Sequence, residues 1–162
     1  VEGATARAIC AKVGVKAPTL YHYFGDLSRL HAAAVNAAFL TVAAEYRRES
    51  RSGGPLNGVR QSWAIFMQFA RREPRLARLL ITRVLDGQTP PAVRLTLRQV
   101  QSDLEKLDAQ GKLAAPAAKA IRILWMASTG AALLATTGDD PENAEALLDA
   151  VLSALVPSFP NG

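Results

Sequence analysis

Between Thr5 and Phe24 the chain reads TARAICAKVGVKAPTLYHYF, and this stretch gathers side chains that hydrogen-bond and carry positive charge: Thr5, Arg7, Lys16, Thr19, Tyr21, His22 and Tyr23. Hydroxyls, an imidazole and cations at this density suit a nucleic-acid surface. There, groove-facing groups exchange hydrogen bonds with base edges while flanking groups hold phosphates. Thr19 and His22 are three apart and share a helix face, which Lys16 joins if the helix starts that early. Tyr21 and Tyr23 fall on other faces, where a phenol reaches a phosphate or packs. Leu20 and Phe24, spaced by four, are expected to anchor the helix to its domain.

Two short helices are needed to present these groups. The first spans Thr5–Val13, with Thr5 as N-cap and Ile9 and Val13 on one face. Gly14 ends it in the left-handed conformation that glycine adopts without penalty. Pro18 lies in the first turn of the second helix, where its missing N–H matters least. Two helices with a tight turn between them form a helix-turn-helix, whose second helix reads the major groove.

The run T-x-R-x-I-x-x-x-x-G-V-x-x-P-T-L-Y-H-Y-F, within about Gly3–Leu30, resembles the DNA-binding motif of the tetracycline-repressor (TetR) family of bacterial transcription regulators. The later segment FARREPRLARLL is similar to another family stretch. The resemblance implies an all-α homodimer, each protomer having an N-terminal helix-turn-helix domain and a C-terminal helical bundle for ligand binding and dimerisation. It implies that Thr5 and Arg7 touch the DNA backbone, that Lys16, Ala17, Pro18, Thr19, Tyr21 and His22 lie at or near the groove, and that Tyr23 sits beside a phosphate. The family has a further helix before this motif. Here only Val1–Ala4 precede it, so that helix is expected to be missing from the chain, whether cut or disordered. Leu27 stands where the family often has a lysine, and Arg29 or the N–H groups of the helix start are expected to replace that contact.

Beyond the motif the chain reads as further helices. Asp26 is expected to cap a long helix, Leu27–Arg48, with Leu30, Ala34, Ala37, Ala38 and Ala44 on its apolar face. Ser50–Pro55 (SRSGGP) is the clearest break, and the domains are set at residues 1–44 and 45–162. Pro55–Arg72 carries Leu56, Val59, Trp63, Phe66 and Ala70 at helical spacing. Pro74–Leu85 carries Leu76, Leu79, Leu80 and Val84, and Pro91–Gln110 carries Val93, Leu97, Val100, Leu104 and Leu107. Pro116–Thr137 is apolar almost all round, and a last helix capped by Asp140 bears the stripe Ala144, Leu147, Leu148, Val151, Leu152, Leu155. These two helices are expected to pair protomers through Leu124, Ala127, Ala131, Leu134, Leu148, Val151, Leu152 and Leu155, or else to close the monomer core. Trp63, Phe66, Met67, Phe69, Trp125 and Met126 are candidates to line a small-molecule pocket, with core packing as the alternative. The cluster Arg71, Arg72, Arg75, Arg78 and Arg83 reads as a solvated face.

With 162 residues, 49% hydrophobic, the chain is long enough for one or two domains and apolar enough to bury a core. A formal net charge of +5 agrees with an anionic partner. The single cysteine, Cys10, reads as a buried core residue, and His31 as a partly exposed helix residue. No catalytic constellation, metal cluster or phosphate loop is visible, so neither enzymatic activity nor a cofactor is expected. Ile121–Ala135 is too short a stretch to cross a bilayer, and a cytoplasmic protein with no membrane partner is expected. The expected partners are double-stranded operator DNA, an unidentified small-molecule effector and a second copy of the chain. The rival reading is a ligand-binding helical sensor that does not bind DNA.

Overall fold

Prolines, glycines and capping side chains punctuate the chain into eight helices, with no strand among the described residues. The computed structural model describes residues 5–49, 53–138 and 141–157, leaving aside the side chains of 45–49. The helices are α1 Ala6–Val13, α2 Ala17–Phe24, α3 Leu27–Glu49, α4 Gly54–Arg72, α5 Pro74–Leu85, α6 Pro91–Ala109, α7 Ala117–Ala135 and α8 Pro141–Leu155. The all-α expectation therefore holds. The expected cap Asp140 and Ser50–Ser52 of the expected break lie outside the described residues.

Local chemistry explains the boundaries. Thr5 Oγ1 accepts from the Ala8 N–H at 3.2 Å, an N-cap bond. Gly14, at φ 71° and ψ 25°, ends α1 with its N–H directed to the Cys10 carbonyl. Asp26 Oδ1 accepts from the Arg29 N–H at 2.7 Å and caps α3. Pro55, Pro74 and Pro91 each sit in the first turn of their helix. Two caps come from distant side chains: Asn36 Oδ1 accepts from Ala92 N at 3.0 Å, and Asp108 Oδ2 from Ala117 N at 3.0 Å. They satisfy helix-start donors and fix α6 to α3 and α7 to the end of α6.

One core runs from Val35 on α3 to Val156 just past α8. α4 is its hub, packing against α3, α5, α6, α7 and α8, and its Met67, Phe69 and Ala70 are wholly buried. Gly58 allows α6 to approach α4 closely. The buried Asp103 of α6 lies where a Cβ on Gly58 would stand. Its carboxylate faces the first turn of α4 and accepts from Lys106 Nζ at 3.1 Å.

The burial of α3 differs from its expected stripe. Val35, Phe39, Val42 and Ala43 are buried, whereas Ala34, Ala37 and Ala44 are exposed, and Leu30 and Ala38 are half-buried. Alanines offer little area to remove from water, so the helix turns its larger side chains inward. α7 is 19 residues long and, like Leu27–Ala44 of α3, is long and apolar enough by length and composition to span a bilayer. That corrects the expectation of too short a stretch. In the fold α7 packs on α4, α5, α6 and α8.

Candidate functional site

α1 and α2 pack on each other and α2 on α3, with no substantial contact to the later helices. Their buried side chains are Cys10 and Leu20. Thr5, Arg7, Lys16, Ala17, Pro18, Thr19, Tyr21, His22 and Tyr23 are all exposed, Tyr21 by 48% and Tyr23 by 76%. The geometry thus brings the polar side chains of the motif to one small outer unit. His22 and Tyr23 meet edge to face, ring centroids 5.4 Å apart. Leu20 anchors α2 as expected. Phe24 does so only partly, at 37% exposed, since α2 is short and its end turns outward at Gly25. Arg29, the expected stand-in for a basic residue at position 27, is exposed and lies 3.7 Å from the Asp26 carboxylate. An exposed pair of that kind contributes little to stability.

A second candidate site lies inside the bundle. A cavity of about 70 Å³, open on one side, is lined by Phe39, Trp63, Phe66, Leu80, Leu124 and Trp125, among others from α3 to α7. Its hydroxyls are committed to their own helices: Ser62 donates to the Gly58 carbonyl, Thr96 to Ala92 and Ser128 to Trp125. The buried indole N–H of Trp63 has no partner among the described residues. Phe66 and Trp125 stack with centroids 6.4 Å apart and planes at 11°. Of the expected pocket residues, Trp63, Phe66 and Trp125 line this space. Met67 and Phe69 do not; both are fully enclosed by neighbouring helices and belong to the core. Met126 is 64% exposed and lines a separate outer groove between α6 and α7.

The expected dimer residues divide in the same way. Leu124, Ala131, Leu148, Leu152 and Leu155 are buried in the protomer's own core, so they cannot form its outer surface. Leu134 is 57% exposed, and Ala127 and Val151 are half-buried. Outward-facing apolar area on α7 and α8 comes instead from Met126, Leu133, Leu134 and Leu147. α7 is apolar almost all round apart from Lys119 and Arg122 near its start, so the composition of its later turns does not mark which side faces in.

Arg83 is the buried polar contact that the sequence did not announce. It was expected on a solvated face, yet it is buried. From α5 its guanidinium donates to the carbonyl and hydroxyl of Ser28, in the first turn of α3, and to Gln88 Oε1 at 2.8 Å. Leu80, three residues earlier on α5, lines the cavity. A signal was available in the spacing, since Leu76, Leu80 and Arg83 follow one helical face. Arg78 also departs from a purely solvated role: its Nε donates to Thr136 Oγ1 at 2.8 Å at the end of α7. Compared with models of known families and with curated proteins, the chain matches none.

Proposed function

We propose that the chain is a homodimeric, sequence-specific DNA-binding transcription regulator of TetR type, a repressor released by a small hydrophobic or aromatic ligand. The observation that carries this reading is the exposure of every proposed DNA contact on a helix pair that buries only Cys10 and Leu20. On this reading α1, the Gly14 turn and α2 form a helix-turn-helix. α2 enters the major groove with Thr19 and His22 toward base edges, while Thr5, Arg7 and Tyr23 hold phosphates. Two protomers pair through the outer faces of α7 and α8. Their recognition helices then meet successive major grooves about 34–36 Å apart. The protein acts in the cytoplasm and needs no cofactor or catalytic group.

Release follows from the bundle geometry. A cavity of about 70 Å³ is smaller than the ~150 Å³ space that holds benzene in an engineered core. A ligand therefore binds best to an arrangement in which the walls have moved apart. That differential affinity is what a ligand needs to shift a conformational equilibrium. Two walls are tied to the helix that carries the reading unit. α5 holds Ser28 through Arg83, and the start of α6 is held by Asn36. Spreading α5 or α6 shifts α3 at Ser28 and Asn36, and α2 moves with it.

The test is fluorescence-anisotropy titration of the full-length protein on DNA from its own promoter, with random-sequence DNA as competitor. The regulator reading expects saturable binding that survives the competitor at moderate salt. Binding no tighter to the promoter than to random DNA overturns it and leaves a ligand-binding helical sensor.

A further inference from the structure

The small apolar cavity does not stand alone. Leu97, Ile121 and Trp125 line both this cavity and an outer groove of about 560 Å³ between α6 and α7, so these side chains form a partition between the two spaces. The outer space lies within the roughly 300–1,000 Å³ typical of ligand pockets. Its rim has one sign of charge. Arg94 and Arg98, four apart on one face of α6, and Arg122 of α7 line it, and no carboxylate does. All three arginines are exposed, and none of their guanidinium groups makes a hydrogen bond or ion pair among the described residues. Guanidinium groups present fixed forks of donors that match a carboxylate or phosphate, and their attraction for an anion strengthens beside apolar walls.

We infer that the effector is an amphipathic anion, with a carboxylate or phosphate head held by Arg94, Arg98 and Arg122 and an apolar tail that passes the Leu97–Ile121–Trp125 partition into the inner cavity. The inference rests on the ligand-released reading above and narrows its chemistry. The groove takes the head without burying a charge. The tail displaces the Trp125 ring, which stacks on Phe66 and lines both spaces. A neutral ligand gains nothing from the arginines, and a cation is repelled by them.

Four probes sharing one chain length test this: decanoate, decyl phosphate, decanol and decyltrimethylammonium, each below its micelle concentration. Binding is followed by calorimetry and by the fluorescence of Trp63 and Trp125, the protein's two tryptophans. The expected result is that decanoate or decyl phosphate binds about 10-fold or more tightly than decanol, as charge-assisted hydrogen bonds imply, with the cation weakest. Preference between the two anions names the head. The triple variant Arg94→Gln/Arg98→Gln/Arg122→Gln brings the anions down to the affinity of decanol and leaves decanol unchanged. Salt dependence gives the same reading without mutation, since added salt weakens the anions and spares decanol. Decanol binding as tightly as the anions, or anion affinity untouched by both the variant and salt, overturns the inference. The cavity reading then still stands, because decanol binds. Failure of all four probes to bind overturns the cavity reading as well.

Discussion

Thr19 and His22 stand exposed on α2, three residues apart, with the buried Leu20 between them. That contrast gives separate expectations for neighbouring side chains. Thr19→Ala and His22→Ala should each lower discrimination between the operator and a single-base variant by about 1–3 kcal/mol, while binding to random DNA changes little. Arg7→Ala should instead weaken binding to all sequences alike and reduce the salt slope by about one per lost phosphate contact. Competition titrations at several salt concentrations separate the two behaviours. Equal effects on operator and random DNA from Thr19→Ala and His22→Ala would contradict the groove assignment. Much of this scale was legible in the sequence, because caps and turns are local: the Thr5 cap, the left-handed Gly14 and the Asp26 cap follow from a few adjacent residues. Arg83 was not legible in that way. Its partners Ser28 and Gln88 include one that is far away in sequence, and a cation in a basic run looks solvated until the fold covers it.

In the proposed mechanism, helices rather than single residues carry the signal between the two candidate sites. Arg83 ties α5 to the start of α3. Arg83→Met keeps a long side chain in the buried space but removes the tie, and the acceptors it leaves on Ser28 and Gln88 belong to exposed residues that water can reach. The variant should still bind DNA and ligand, but ligand should lower DNA affinity less than in the wild type, because only the Asn36 tie of α6 remains. Anisotropy titrations with and without ligand measure this, and a wild-type ligand effect in the variant would remove Arg83 from the coupling. The α4–α6 contact gives a stability expectation. Gly58→Ala places a methyl group against the buried Asp103 carboxylate and should destabilise the protein by about 1–3 kcal/mol in urea unfolding. Helix positions came clearly from Pro, Gly and apolar spacing, as the match over Pro74–Leu85 shows. The inward face did not always follow. On α3 the alanine stripe competed with Val35, Phe39 and Val42, and relative bulk decided the outcome. On α7, apolar almost all round, the packing of α4, α5, α6 and α8 selects Leu124, Ala131 and Ala135 for the core.

For the whole molecule, the account needs two reading units at a fixed separation. Met126, Leu133, Leu134 and Leu147 are the apolar side chains left outside on α7 and α8, and we propose them as the surface that pairs two copies. Met126→Glu/Leu134→Glu should convert the dimer to a monomer in sedimentation equilibrium while its helical circular dichroism is retained. A dimer that persists in this variant would place the pairing surface elsewhere. Architecture at this scale was legible as helix number and order, but interfaces were not. A stripe such as Leu148, Leu152 and Leu155 has the same pattern whether it closes one protomer or joins two. The central claim, that this helix pair reads specific DNA as a two-fold unit, is tested most directly by hydroxyl-radical footprinting of the full-length protein on its own promoter. The expected result is one site with two protected segments centred about one helical turn apart, about 34–36 Å, lost together when Thr19 and His22 are both replaced by alanine. A promoter without a discrete footprint, or a footprint unchanged in that double variant, would contradict it.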